Sequence, residues 1–135
     1  MRKIATLIAT AALLAGGVAS AAPGGGAEAK LAKALEGRAA GEPVRCLNLR
    51  QIRSTQIIDG TAILYDVGNT TYVNKPTSGA SSLRDGKVMV TEPFGSQLCS
   101  IDTVKLYDSG SRMPSGWVGL GEFVPYTKVK DSAAS

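Results

Sequence analysis

Short alternating segments, separated by turn residues, make up the chain from Val44 onward. In the run 61–67, Ile63 and Tyr65 lie on one side of an extended chain and Leu64 on the other. Alternation of this kind is typical of strands with one buried face, and turn signals recur about every 8–12 residues, as in small β domains. No helical segments separate these runs to supply the crossovers that parallel strands need. The sequence therefore predicts an all-β fold, a small antiparallel barrel or sandwich.

Two dipeptides mark tight turns between the predicted strands. Asp59-Gly60 and Gly68-Asn69 are hairpin signals, because glycine adopts a positive φ at little cost. The segments 75–82 and 108–116 are predicted loops from their glycine, proline and serine content. Strands are predicted at 57–58, 61–67, 70–75, 87–91, 100–108 and 121–129, with Val88 and Val90 sharing one face of their strand.

The first 21 residues have the layout of a secretory signal peptide. Arg2 and Lys3 precede an uncharged segment rich in Ala and Leu over 4–18, and the small residues 19–21 follow. This order matches a signal peptide that is cleaved before Ala22. The apolar segment of about 15 residues is shorter than the roughly 20 residues of a membrane-spanning helix. We expect a periplasmic or secreted protein with no membrane span after cleavage.

The remaining chain is expected to form a flexible lead with a short N-terminal helix (22–43), a disulfide-stapled β domain (44–130) and a disordered tail (131–135). The helix is predicted over 27–38, where Leu31 and Leu35 form a narrow apolar stripe and Gly37 is a stop signal. Since an isolated helix of this length is marginal in water, we expect it to pack on the β domain.

Cys46 and Cys99 are the two cysteines of the chain. An exported domain meets an oxidising environment, in which paired cysteines form disulfides. A Cys46–Cys99 bond would close a segment of about 54 residues, which the chain-entropy model values at roughly 4 kcal/mol. The alternatives, a redox pair or a metal site, lack a C-x-x-C spacing and nitrogen ligands. A structural disulfide is therefore predicted.

The absence of histidine and the modest charge restrict the function. Without histidine the chain lacks the usual general base and the commonest zinc ligand. The formal charge of +4 includes Arg2 and Lys3, which leave with the signal peptide. The rest shows no clustered basic face of the kind that binds nucleic acid. No catalytic residue, metal site or cofactor is predicted, and nucleic acid is not an expected partner.

Asp66 and Asp102 are the least ordinary carboxylates, because they fall within β runs beside apolar residues. A structural hydrogen bond is the commoner role of such a residue. Catalysis would need an activating partner, and none is recognisable in the sequence. A carboxylate hydrolase that works without histidine is therefore the third and weakest functional hypothesis.

Four residues are candidate contacts for a ligand or partner. Arg45, Arg50 and Arg53 form a small basic group that could meet an anionic lipid, a glycan or a partner carboxylate, or simply a solvated edge with local ion pairs. Trp117 is the single tryptophan and lies among glycines. It is either a core side chain or an exposed anchor for a partner.

A series of short motifs carries a family resemblance over about residues 36–126. They are Cys46-Leu47, Ile52-Arg53-Ser54-Thr55, Asp59-Gly60-Thr61, Tyr72-Val73-Asn74, Leu98-Cys99-Ser100-Ile101-Asp102 and Gly119-Leu120-Gly121-Glu122-Phe123. In this order they resemble a family of small exported proteobacterial proteins whose domain has no known function. The resemblance implies a periplasmic β domain and no activity. It also implies that Ala80 and Val118, where many relatives have a second cysteine pair, lie close together.

The sequence thus favours a non-catalytic binding or envelope-associated protein. The alternative is a small β-barrel carrier or sensor that holds an apolar or glycan ligand between its sheets. An envelope protein or a small ligand is the expected partner.

Overall fold

Residues 25–93 and 95–129 are described by a computed structural model of the protein. The predicted signal peptide at 1–21 and the predicted tail at 131–135 lie outside the described residues. One α-helix, α1 (Gly25–Ala34), precedes the strands. The strands are β1 (Arg38–Ala40), β2 (Cys46–Asn48), β3 (Ile52–Ile58), β4 (Ala62–Val67), β5 (Thr70–Asn74), β6 (Lys87–Thr91), β7 (Gln97–Cys99), β8 (Thr103–Asp108), β9 (Pro114–Gly119) and β10 (Phe123–Lys128).

The strands form three antiparallel sheets. A five-stranded sheet has the order β1-β10-β5-β4-β3, a three-stranded sheet has the order β6-β8-β9, and β2 pairs with β7. One buried cluster joins residues of all three sheets, including Tyr65, Leu98 and Leu106. The all-β prediction with a short N-terminal helix is therefore confirmed. Of the two predicted architectures the sandwich fits, because β3 and β6 each end a sheet within the described chain and the barrel is not closed.

The two faces of the five-stranded sheet have separate partners. On one face, Ile63 and Tyr65 of β4 enter the sandwich core, where the Tyr65 ring meets Phe123 edge-on with centroids 5.6 Å apart. On the other face, Leu64 packs with Leu31 of α1. The alternation predicted along 61–67 is thus observed: one set of side chains faces the sandwich core, and the other set faces the helix.

Several boundaries differ from the prediction. The helix ends at Ala34, earlier than the predicted residue 38, and Arg38 begins β1 instead. The predicted loop 108–116 is too long, because β9 already begins at Pro114. Gly116 fits β9 because a Cβ there would lie 2.8 Å from the Ser82 hydroxyl. Close packing against the turn Ala80–Ser82, which flanks β9, therefore explains a glycine that reads as loop in the sequence.

The predicted disulfide between Cys46 and Cys99 is present. The two residues are directly opposed on β2 and β7, with their Cα atoms 4.0 Å apart. Backbone hydrogen bonds flank the pair, from Ser100 N to Arg45 O (2.7 Å) and from Leu49 N to Ser96 O (2.9 Å). A disulfide is typical of proteins that fold in an oxidising compartment.

Candidate functional site

The most distinctive feature of the surface is a gap between β3 and β6, the free edges of two sheets. The segments that flank these strands are bonded to each other at both ends of the gap. At one end Gly60 N donates to Leu83 O (2.9 Å), and at the other Leu49 N donates to Ser96 O (2.9 Å). Between these ends β3 pairs with β4 and β6 with β8, and neither strand pairs with the other. The gap is therefore a slot between two backbone edges that no strand of residues 25–93 and 95–129 pairs.

A pocket of about 200 Å³ opens in this slot. Five of its eight lining residues are apolar, but polar atoms supply the larger share of the exposed wall, and hydroxyl groups come from two threonines and a tyrosine. The lining residues are Leu49, Ile52, Thr55, Tyr65, Met89, Thr91, Leu98 and Val104. Burial raises the pKa of Tyr65, so its hydroxyl stays neutral at physiological pH. The pocket suits an apolar group, with a few hydroxyls to orient it.

A β-bulge at the start of β3 determines which side chains face the pocket. Ile52 pairs with Val67 and Ser54 with Asp66, so that Arg53 is the extra residue. Because an extra residue reverses the alternation of a strand, Ile52 and Thr55 both line the pocket despite their odd separation.

Two of the three candidate arginines lie together beside this pocket. Arg50 and Arg53 line a second recess with Gln51, Val67 and Gly68. Leu49 and Ile52, their neighbours in sequence, line the apolar pocket, so the two recesses share the segment 49–53. The sequence pattern thus indicated a group of basic side chains, and the fold places two of them next to a pocket that Leu49 and Ile52 line.

Arg45 does not join this pair. It lies before β2, whereas Arg50 follows that strand. The ion pairs found in the described residues are Lys87–Asp108 (3.2 Å) and Lys105–Glu92 (3.4 Å), and neither involves one of these arginines. The predicted local ion pairs of the arginine group are therefore not seen in that part of the chain.

Trp117 is 55% exposed, so the interpretation of this residue as a core side chain is wrong. It lies on the outer face of the three-stranded sheet, opposite Lys105 of β8. Val88 and Val90 of β6 share this outer face and are 48% and 37% exposed. The inner face of β8 carries the buried Val104 and Leu106 instead. Val88 and Val90 thus expose apolar surface beside the slot, and Lys105 separates them from Trp117 on the far strand of the sheet.

Asp66 and Asp102 both accept hydrogen bonds from neighbouring groups of the fold. Asp66 accepts hydrogen bonds from the Ser54 and Thr71 hydroxyls, each at 2.7 Å. Asp102 accepts one from Cys99 N, also at 2.7 Å. These contacts give both carboxylates a structural role. In the described residues no cluster of three or more acidic or cysteine side chains could hold a metal ion.

Asp108 organises the turn between β8 and β9. Its Oδ1 accepts hydrogen bonds from Ser111 N (2.9 Å), Gly110 N (3.0 Å) and the Ser111 hydroxyl, and its Oδ2 faces Lys87. The Ser111 N–H, and next the Lys87 ammonium, lower the pKa of Asp108 from 3.8 to about 2. A carboxylate with a depressed pKa stabilises the folded state above its unfolded pKa, and this contribution is lost as the pH falls through the folded value.

We therefore expect Asp108→Asn to lower the melting temperature at pH 7 but not at pH 2. As the pH falls from about 4 to about 2, the wild-type protein should lose its advantage over the variant. Thermal unfolding followed by circular dichroism over this range measures the difference. Asp85→Asn is the control, since this exposed turn carboxylate accepts no hydrogen bond in the described structure. Equal acid sensitivity of wild type and Asp108→Asn would contradict the prediction.

Asn74 is a structural residue that the sequence did not reveal. Its fully buried amide donates to Gly121 O (2.7 Å) and accepts from Gly121 N (2.9 Å). A Cβ at Gly121 would collide with the Lys75 carbonyl, which explains the glycine. The residues that line the pocket were also not identified from the sequence.

Comparisons with known proteins leave the site to be interpreted from its own geometry. No family model, curated protein or solved structure matches this chain. The resemblance to exported proteobacterial proteins therefore stays a prediction. The structure does place Gly79, the neighbour of Ala80, against Val118, where a Cβ on Gly79 would lie 3.1 Å from the Val118 Cα. None of the helices in the described part of the chain is long and apolar enough to cross a membrane.

Proposed function

We propose that this protein is a non-catalytic binding protein of the periplasm or cell exterior that holds one apolar group of an envelope partner in the slot between β3 and β6. The observation that carries the proposal is a pocket with five apolar side chains in its lining, beneath two strand edges that no described strand pairs. The disulfide supports an oxidising compartment. The signal-peptide layout and the family resemblance favour the periplasm or secretion.

The size of the pocket favours a single side chain over a whole ligand molecule. Sites for drug-sized ligands typically have about 300–1,000 Å³, whereas this pocket has about 200 Å³. An apolar cavity of roughly 150 Å³ holds a benzene molecule. One aromatic ring or branched aliphatic group therefore fits. The second candidate function, a carrier of a free apolar molecule, is restricted by the same volume to ligands of that size.

Toluene, which has the shape of a phenylalanine side chain, tests the proposal. We expect it to shift the amide resonances of Ile52, Met89 and Leu98 in a saturable manner in nuclear magnetic resonance spectra of the oxidised protein. Replacing Thr55 with Trp should fill the pocket and weaken toluene binding about tenfold or more. Because Thr55 is exposed, the substitution should leave the melting temperature within a few degrees of the wild-type value.

The matched control is Gln56→Trp, which adds the same ring to the next residue of β3. Gln56 pairs with Leu64 and does not line the pocket, so toluene should bind this variant as it binds the wild type. Binding that is unchanged in Thr55→Trp, or shifts that lie away from the slot, would refute the proposed pocket.

A further inference from the structure

The edge of β6 has the properties of a strand that accepts another chain. Its five residues, Lys87–Thr91, pair with β8 on one side and with no described strand on the other. Natural sheets protect such edges with bulges, prolines or charges. β3 has a bulge and Arg53 at its free edge. From Val88 to Thr91, β6 has neither charge, proline nor bulge.

Both faces of β6 offer apolar contacts to an added strand. Successive side chains of a strand point to opposite faces. On the inner side Met89 and Thr91 line the pocket, and on the outer side Val88 and Val90 are exposed. A strand beside β6 would therefore place alternate side chains in the pocket and next to the two valines. An added strand would cover Val88 and Val90, which explains why apolar side chains are exposed at this edge.

Charge complementarity indicates which groups the added strand carries. Arg50 and Arg53 lie at the end of the slot where Ile52 approaches Thr91. Lys87 pairs with Asp108 and Glu92 with Lys105, and the remaining charged side chains near β6, Arg84, Asp85 and Asp59, lie before this strand, at the opposite end of the slot. The two arginines thus leave positive charge at their own end, which an acidic residue or a free carboxylate would complement.

We propose that β6 binds an extended peptide of a partner protein as an added strand, with one large apolar side chain in the pocket and an acidic group beside Arg50 and Arg53. This inference rests on the proposed function and names the class of partner. In strand addition, main-chain hydrogen bonds give affinity and pockets for alternate side chains give specificity. About five residues of extended peptide match the length of β6.

Three peptides of one design test the inference. The probe is acetyl-Glu-Val-Phe-Val-Glu-amide, in which Phe and both Glu side chains share one face in either strand direction. The first control has Gln in place of both Glu residues. The second is N-methylated at Val, Phe and Val, so that it keeps the side chains but loses three N–H donors, and the added methyl groups obstruct the approach of a paired strand. Amide hydrogen exchange of Val88–Thr91 and the dissociation constants are measured with the oxidised protein.

The Glu peptide is used at ten times its dissociation constant. We expect it to slow hydrogen exchange about tenfold at the β6 amides whose N–H groups point away from β8. The N-methylated peptide should bind at least about tenfold more weakly. The double substitution R50Q/R53Q should weaken the Glu peptide about three- to tenfold and leave the Gln peptide unchanged. This charge-specific difference is one that a merely structural role of the arginines would not produce.

Other outcomes overturn the inference and separate it from the proposed function. If toluene binds in the pocket but no peptide slows exchange in β6, or if the N-methylated peptide binds equally well, strand addition is wrong and the apolar pocket remains. If neither toluene nor any peptide binds, both proposals fail. If β6 exchange slows with protein concentration alone, the occupant is a second copy of this chain and not a partner peptide.

Discussion

Replacing both Cys46 and Cys99 with Ser should lower the melting temperature by roughly 15–30 °C. The disulfide closes a segment of about 54 residues, and the chain-entropy model gives about 4 kcal/mol for a crosslink of this span. One kcal/mol corresponds to about 4–8 °C in a domain of 60–100 residues. Since the net stability of a small domain is about 5–15 kcal/mol, the loss is a large fraction of the total.

Reductant provides the matched control for this substitution. Thermal unfolding of the wild type in the presence of a phosphine reductant should approach that of the double variant, and the variant should not respond to reductant at all. A difference of less than about 3 °C between the oxidised wild type and the variant would show that the crosslink adds little beyond the β2–β7 pairing.

The position of the disulfide also connects stability with the slot. Cys46 and Cys99 lie on β2 and β7. The hydrogen bond between Leu49 and Ser96, which closes one end of the slot, follows the last residue pair of these two strands. Leu49 and Leu98 belong to the pocket lining. The crosslink therefore reinforces the β2–β7 pairing and the Leu49–Ser96 hydrogen bond, which close this end of the slot.

Strands with strong local signals were predictable from the sequence. The turn residues Gly60 and Gly68 have positive φ values of 62° and 60°, as the hairpin signals require. β4 follows the alternation predicted over 61–67, and the predicted strand 87–91 coincides with β6. β3 was predicted only at 57–58, although it begins at Ile52. In these segments local propensity and the final fold agree, so short-range patterns were sufficient.

β1, β2, β7 and β9 were missed because their signals come from distant partners. β1 is a three-residue strand of Arg and Ala whose pairing with β10 holds it in the sheet. β9 contains Pro114 and Gly116, which favour a loop locally. Its glycines allow close approach of Ser82 and Ser78, which only the tertiary fold brings near. The exposure of Trp117 follows from the same strand, since it alternates with the buried Val118.

The candidate site was predictable only in part, for a topological reason. Arg50 and Arg53 stood out as a charged group within a short segment, and they line one recess of the structure. The alternative of a ligand between the sheets stays a prediction. The pocket itself depends on which strand edges stay unpaired, and strand order was not readable from local patterns. Nothing in the local sequence distinguishes Met89 or Thr55 from other residues. They line the pocket because the fold places β6 and β3 on opposite sides of one slot.

Asn74→Ala should destabilise the protein by about 2–6 kcal/mol, although Asn74 neither lines the pocket nor belongs to the disulfide. Its amide satisfies both the N–H and the carbonyl of Gly121, and all of these groups are buried. Removing the amide leaves two buried backbone groups without partners, at about 1–3 kcal/mol each. Because the Lys75 carbonyl lies so close to Gly121 that an added Cβ would collide with it, the backbone has little room to move and recover the lost bonds.

Chemical denaturation of the oxidised protein measures this change, and Asn69→Ala is the matched control. Asn69 lies in the exposed β4–β5 turn, and its side chain makes no hydrogen bond in the described structure, so its loss should change the free energy of unfolding by about 0.5 kcal/mol or less. Asn74→Asp separates the two bonds, because a carboxylate can accept from Gly121 N but an ionised one cannot donate to Gly121 O. A cost of less than about 1 kcal/mol for Asn74→Ala would mean that water reaches Gly121 and replaces the amide. That result would contradict the burial of this contact between β5 and the segment before β10.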